Sequence, residues 1–372
     1  MKKHTIILVA AARPNFMKIA PIVHALKQRE KEFETIIVHT GQHYDANMND
    51  TFFEQLNIPK PDINLGIGSG SHAEQTGKVM MAFEDVLTKK PADLVIVVGD
   101  VNSTLACALT AKKCHIPVAH VESGLRSFDR TMPEEINRLA TDAISDILFT
   151  PSEDANIQLT KEGHGNDKII FVGNVMIDTL LAHTDQASKL TLVSDLNLQK
   201  KNYCLVTLHR PSNVDSKETL KEIIDTLLEI EKECPIILPL HPRTKKRIEE
   251  FDLMDYFNFG PTTRKRINCI DPVGYHEMIH LVMNAKCTVT DSGGIQEETT
   301  VLQVPCITVR PNTERPITIS EGTNTLTGPH KNQILDAYRN IQTVSDRPKR
   351  VPKFWDGKSA HRIVDHLQAF LG

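Results

Sequence analysis

The feature that most restricts the fold is an alternation that runs the length of the chain. Short apolar, strand-length runs take turns with longer segments of helical period. In the first half the runs are Thr5–Ala10, Thr35–Val38, Leu94–Val98, Pro117–Val121 and Ile147–Thr150. Helical patterns fall between them, as at Ser103–Lys113 and Glu134–Asp146. Such an order predicts parallel sheets with helices on both faces. A second series begins after Gly173, with strands predicted at Tyr203–Thr207, Pro235–Leu240, Asn268–Ile270, Cys287–Thr290 and Pro305–Val309. The chain therefore reads as two doubly wound α/β domains, 1–172 and 173–355, followed by a closing helix near Ser359–Leu371. The polar stretch from Thr184 to Lys201 reads as surface structure. Two such domains create a cleft at the carboxyl ends of their strands, where open α/β sheets bind ligands.

Composition agrees with that reading and removes other classes. The 372 residues are enough for two domains with a substantial core. A net charge of −4 gives no electrostatic reason to expect a nucleic-acid partner. The longest apolar runs, such as Leu94–Val98, are far short of a membrane span. The opening Ile6-Ile7-Leu8-Val9 run is broken by Arg13-Pro14-Asn15 before it reaches signal-peptide length. The 7 cysteines are scattered, odd in number and mostly within apolar runs, as expected of reduced thiols in a cytoplasmic protein.

The chemistry-bearing residues cluster just after the predicted strands. After Cys287–Thr290 comes Asp291-Ser292-Gly293-Gly294-Ile295-Gln296-Glu297-Glu298. Its glycines let backbone amides at a helix N-terminus approach a phosphate, and a carboxylate in the first turns reaches towards a ribose hydroxyl. After the first strand, Arg13 and Lys18 offer cations beside a tight turn, without a G-x-G-x-x-G fingerprint. Asp100 follows Leu94–Val98, with Asn102 or Ser103 as the expected cap of the next helix. Glu122 follows Pro117–Val121. Pro133-Glu134-Glu135-Ile136-Asn137-Arg138 then opens a helix that puts Glu134, Asn137 and Arg138 on one face. Three carboxylates, Asp100, Glu122 and Glu134, thus come from successive segments. In the second half His209-Arg210-Pro211 and His241-Pro242-Arg243 follow consecutive strands in the same manner. Thr313-Glu314-Arg315-Pro316 adds a cation for a phosphate and a carboxylate for a sugar hydroxyl.

Other motifs carry less. Each carboxylate read singly fits a helix cap or turn, and a lone histidine is more often structural. Gly66-Ile67-Gly68-Ser69-Gly70 reads as a loop. His276-Glu277-Met278-Ile279-His280 matches the H-E-x-x-H zinc pattern. By its period, however, the helix Gly274–Asn284 buries Met278, Ile279, Leu281 and Val282. It leaves the His-Glu-His set mostly on a solvated face, so no metal centre is expected there.

Taken in order, these blocks resemble the non-hydrolysing UDP-N-acetylglucosamine 2-epimerases, and the resemblance runs through nearly the whole chain. It implies a GT-B architecture: two Rossmann-like domains around a central cleft, with the C-terminal helix 356–372 packing back on the first. It further implies Asp100, Glu122, Glu134 and His209 as catalytic residues. UDP and sugar would be held by Arg13, Lys18, Arg138, His241, Ser292, Gly293, Gly294, Glu298 and Arg315. The implied reaction eliminates UDP to 2-acetamidoglucal and adds it back with carbon 2 inverted, without metal or redox cofactor. A homodimer and a role in surface polysaccharide are implied as well. Asn15, where many members have Glu, and Thr40-Gly41-Gln42-His43-Tyr44 depart from the common pattern in regions that bind an activating second substrate in several members. A branch acting on UDP-linked 2,3-diacetamido uronic acids shares the Gly-Gln-His-Tyr-like segment and stands as an alternative. A GT-B glycosyltransferase would have fewer clustered carboxylates. A hydrolysing relative would differ around Arg13-Pro14, and a binding-only sensor would not need the carboxylate set.

Overall fold

A computed structural model describes residues 3–11, 13–41, 56–341 and 350–372. The segment Gln42-His43-Tyr44 and the side chain of Arg13 lie outside what it describes. The chain divides into two compact units, Met1–Thr179 with Lys353–Gly372, and Leu180–Pro352.

The first unit holds a seven-stranded parallel sheet. Its strands are β1 (His4–Ala10), β2 (Phe33–His39), β3 (Ile63–Asn64), β4 (Leu94–Val98), β5 (Val118–Val121), β6 (Ile147–Thr150) and β7 (Ile169–Phe171). Their order is β3-β2-β1-β4-β5-β6-β7. All five residues of β4 are buried, as a strand covered on both faces requires. One face packs Ile7, Val9, Val95 and Val97 against Phe83 and Ala108 of the flanking helices.

The second unit repeats the plan with β8 (Cys204–Thr207), β9 (Ile236–Pro239), β10 (Phe257–Asn258), β11 (Ile267–Ile270), β12 (Cys287–Thr290), β13 (Cys306–Thr308) and β14 (Asn324–Leu326). The order is β10-β11-β9-β8-β12-β13-β14. The helix Lys217–Glu231 shows how sequence builds the layers. Ser216 accepts from the Thr219 amide at 3.2 Å and caps its start. Leu220, Ile223, Ile224, Leu227 and Ile230 then recur at helical spacing and are buried against the sheet. The two-residue strands β3 and β10, and the short edge strands β7 and β14, are absent from the sequence-based assignment. Edge strands are short and carry too little apolar pattern to be recognised. Thr184–Lys201 contains the end of the helix Val175–Ser188 and a short helix, Leu192–Asp195.

In each sheet the chain reverses its direction of travel once, between β1 and β4 in the first and between β8 and β12 in the second. Ligands of open α/β sheets bind outside the carboxyl ends of strands at such a reversal. The Asp100 and Glu122 exits and the His209 and Asp291 exits stand at or beside these two points.

Helix Ser359–Leu371 belongs to the first unit. Asp178 accepts from the Ser359 and Ala360 amides at 3.1 and 2.7 Å, satisfying two donors at that helix start. Trp355 Nε1 donates to the Pro151 carbonyl at 2.8 Å, and Arg29 pairs with Asp365.

Candidate active site

In the first unit, β4 and β5 lie side by side and each ends in a carboxylate. Gly99 follows β4 with φ +68°, in the left-handed region that favours glycine. A Cβ there would stand 2.8 Å from Lys18 Nζ and 3.5 Å from Glu122 Oε2, so a side chain at 99 would displace the ion pair beneath it. Lys18 is buried and its ammonium pairs with the Glu122 carboxylate. The sequence reading gives Lys18 to a phosphate at a helix start. In the structure it lies within the helix Arg13–Lys27 and pairs with a carboxylate. Glu122 has φ +72°, an uncommon conformation for a side-chain-bearing residue. Asn15 is buried and donates from Nδ2 to the Val98 carbonyl at 3.3 Å.

Asp100 pairs with Arg138. Arg138 also reaches Glu135 Oε2 through Nε at 2.9 Å and Nη2 at 2.6 Å. Asn137 donates to the Asp100 carbonyl at 2.9 Å. So the helix Pro133–Ile144 does present Asn137 and Arg138 together, but the buried glutamate beside them is Glu135. Burial opposes ionisation of Glu135, yet the Ser127 and Phe128 amides and Arg138 draw its carboxyl below the ordinary value. Glu134 is half-buried and makes no hydrogen bond or ion pair among the described residues. Neither Asn102 nor Ser103 caps the next helix. Its cap position is Val101, while Asn102 accepts from Asn137 at 3.2 Å and the Ser103 hydroxyl bonds that of Thr40 at 2.9 Å.

In the second unit, Asp291 at the exit of β12 organises the exit of β8. It is fully buried and accepts from the His209 amide at 3.0 Å and the Arg210 amide at 2.8 Å. His209 Nδ1 lies 3.0 Å from its Oδ1. Burial alone would raise the Asp291 carboxyl, but His209 and the amides hold it below the carboxylate range. A buried acceptor on Nδ1 fixes the ring and leaves Nε2 to act elsewhere. The His241 ring centroid is 5.4 Å away, so the two histidines do meet. His241 Nδ1 accepts from the Arg243 amide at 3.2 Å, and desolvation together with His209 lowers its pKa.

Ser292 occupies the cap position of the helix Gly293–Leu302 without using its side chain as a cap. The first-turn amides have no intrahelical acceptor, which suits a helix start to an anion. A Cβ at Gly293 would stand 2.7 Å from Arg315 Nη1, so glycine here lets the guanidinium lie on the helix start. Arg315 Nε is 2.7 Å from Glu297 Oε1 and Nη1 is 3.4 Å from Glu314. Burial opposes a charge on Glu314, but Arg310, forked onto it at 3.0 and 2.7 Å, and Arg315 hold it well below the carboxylate range. Its carboxylate thus serves the two arginines rather than standing open to a sugar. Glu298 is buried, and burial together with Glu297 lifts its carboxyl to about 8. Nearby, a cavity of about 550 Å³ is lined by Leu240, Pro242, Lys245, Phe259, Ile270 and Asp271 among others.

The zinc-like helix departs from expectation. His280 is buried, not solvated, and its Nδ1 lies 2.8 Å from the Ala187 carbonyl. His276 Nε2 meets His183 Nδ1 at 2.8 Å. The helix Val175–Ser188 packs on that face through His183 and Ala187, a tertiary contact that helical period does not encode.

Doubly wound parallel sheets with charged groups gathered at their reversal points define a Rossmann-like α/β enzyme of GT-B type. Residues 24–368 match the family model for UDP-N-acetylglucosamine 2-epimerase, and the chain belongs to that family of isomerases. It is 47% identical to the Methanocaldococcus jannaschii UDP-N-acetylglucosamine 2-epimerase, over 96% of this chain and 97% of that protein. It is 41% identical to the UDP-2,3-diacetamido-2,3-dideoxy-D-glucuronate 2-epimerase of Pseudomonas aeruginosa, over 97% of this chain and 99% of that one. The crystal structure of the M. jannaschii enzyme in complex with UDP-GlcNAc and UDP superposes with a TM-score of 0.87 at 46% identity, covering 98% of this chain and 99% of that one.

Proposed function

We propose that this protein interconverts UDP-N-acetylglucosamine and UDP-N-acetylmannosamine by inverting carbon 2 of the sugar. The observation that carries the reading is the pair of adjacent strand exits, Asp100 and Glu122, each ion-paired to a buried cation. Carbon 2 has no adjoining carbonyl, so its hydrogen is not acidic and direct removal is very costly. Elimination avoids the free carbanion. The proton leaves carbon 2, the bond from carbon 1 to the diphosphate oxygen breaks, a carbon 1–carbon 2 double bond forms, and UDP departs. Re-addition of UDP with a proton delivered to the opposite face gives the epimer. No electrons are gained or lost overall, so the chemistry calls for acids and bases alone.

Glu122 and Glu134 are the proposed proton carriers, one for each face, and Asp100 shares or orients a proton. His209, oriented by Asp291, assists departure of the diphosphate. The diphosphate is assigned to Arg13, Arg315 and the amides of Ser292, Gly293 and Gly294, where a helix N-terminus stabilises developing negative charge. Glu298 takes the ribose and His241 a position beside the phosphates. Lys18 and Arg138 act through Glu122 and Asp100. The same reading has a cytoplasmic homodimer that supplies activated N-acetylmannosamine to surface polysaccharide.

A second reading is favoured by the likeness to the P. aeruginosa enzyme: the sugar is a 2,3-diacetamido uronic acid, epimerised by the same steps. One experiment separates the two. The pure protein is incubated in heavy water with each UDP-sugar and followed by proton NMR. Epimer formation from UDP-N-acetylglucosamine, with deuterium entering at carbon 2, supports the first reading. Turnover of the uronic acid donor alone supports the second. Free sugar with UDP, or acceptor-dependent UDP release, overturns both.

A further inference from the structure

His120 is a fully buried histidine in the middle of an apolar strand, with Ala119 and Val121 on either side. Its ring spans two elements. Nδ1 lies 2.6 Å from Asp142 Oδ1 in the helix Pro133–Ile144, and Nε2 lies 2.8 Å from the Gly99 carbonyl oxygen. A carbonyl has no proton to give, so Nε2 donates to Gly99; the other short contact holds a proton between Nδ1 and the carboxylate. Asp142 is equally buried and its second oxygen is occupied. It accepts from the Gly124 amide at 3.1 Å and lies 2.7 Å from Arg126 Nη2. Arg126 in turn forks onto Glu162 at 2.9 and 2.6 Å. Full burial opposes a charge on Asp142, but His120 and Arg126 hold its carboxyl below the ordinary range. A buried ionic network of this kind is weak evidence for stability, since apolar replacements are often as stable. What it does supply is a fixed geometry.

That geometry ends at the catalytic pair. The Gly99 amide donates to the Val121 carbonyl at 3.1 Å, so β5 grips Gly99 by its amide from the backbone and by its carbonyl through His120. Asp100 is the residue after Gly99, and Glu122 the residue after Val121. The two grips therefore stitch the two strand exits that carry these carboxylates. We infer that His120 is a positioning residue: its bridge from Asp142 to the Gly99 carbonyl sets the placement of Asp100 relative to Glu122. The inference rests on the acid–base reading of those two carboxylates. A misplacement of about 1 Å at reacting groups costs roughly 10²-fold in rate.

Two amide isosteres dissect the bridge. The Nε2 of glutamine takes the place of the His120 Nε2 and can still donate to Gly99. The Nδ2 of asparagine takes the place of Nδ1 and reaches Asp142 only. The wild type is first assayed for deuterium exchange with both UDP-sugars; no exchange overturns the acid–base reading and this inference with it. Given exchange, His120→Asn should lose roughly 10²-fold in kcat, His120→Gln no more than about tenfold, and KM should stay within about threefold in both. Leu220→Ala, a buried change in the second unit, serves as a control that lowers the melting midpoint without touching the bridge. Equal losses in the two His120 variants, or losses that follow melting midpoint as in Leu220→Ala, overturn the inference. If His120→Asn does not fold, Asp142→Asn is the second probe. A fall in kcat at unchanged KM supports the bridge, and an unchanged kcat refutes it.

Discussion

At the scale of residues, each unit gathers ionisable groups that hold one another. Glu122 is paired with Lys18, Asp100 with Arg138, and His209 with Asp291. Glu122→Gln and Asp100→Asn should each lower kcat by about 10²- to 10⁴-fold, the range typical of a lost acid or base, with folding retained. Steady-state turnover beside circular dichroism checks this. Glu298 gives a prediction about pH. Its carboxyl is raised from 4.5 to about 8, with burial the larger cause and Glu297 the lesser. The folded protein therefore keeps a proton that the unfolded chain releases near 4.5. This group's contribution is full below that value and is lost as pH rises through about 8. Glu298→Gln should flatten the fall in melting midpoint between pH 5 and 8 relative to wild type; parallel curves would refute the assignment. Asp100, Glu122 and His209 stood out by position, as polar residues directly after apolar runs, and the family resemblance implied their roles. Their partners were not legible. Lys18 and Glu122 are 104 positions apart, and no local pattern announces such a pair.

At the scale of elements, helix starts do much of the positioning. Gly293 leaves room for Arg315 against the helix Gly293–Leu302, a use the sequence did not announce, since the Gly-Gly pair after β12 read as space for a phosphate. Gly293→Ala should weaken UDP binding by roughly tenfold, because one lost charge-assisted contact is worth about 1.5 kcal/mol or more. Calorimetric titration with UDP reads it directly. The helix Ser359–Leu371 is tied down differently. Asp178, from an element far away in sequence, accepts from its Ser359 and Ala360 amides. Burial raises the Asp178 carboxyl, which those two amides partly offset. Asp178→Ala leaves buried donors without acceptors and should cost about 1–3 kcal/mol. Denaturant unfolding measures it. The amphipathic period of the helix was readable from sequence; its cap was not, because the capping side chain is tertiary. The same limit applies at Asn102 and Ser103. Both have capping chemistry, yet other elements bind their side chains and the cap falls to Val101.

At the scale of the whole molecule, two seven-stranded parallel sheets each bring charged and polar groups to the exits around one reversal point. If UDP binds as proposed, it should raise stability by about 2.7 kcal/mol at a hundred times its Kd, and the melting midpoint should climb with the logarithm of UDP concentration. A midpoint insensitive to UDP would argue against the nucleotide site. The sequence by itself determined the α/β class, the parallel arrangement and most central strands, because burial on both faces writes a continuous apolar run into each strand. It also marked which polar residues would emerge at the carboxyl edge of the sheet, since they stand directly after such runs. Only the tertiary structure decided that Glu135 rather than Glu134 shares Arg138, that Lys18 faces Glu122, and that His120 joins Asp142 to Gly99. The physical reason is that strand and helix periods are local properties, set by the backbone repeat and the position of solvent. A buried charge instead takes as partner whichever opposite charge or backbone group the packing of distant elements brings within hydrogen-bond reach.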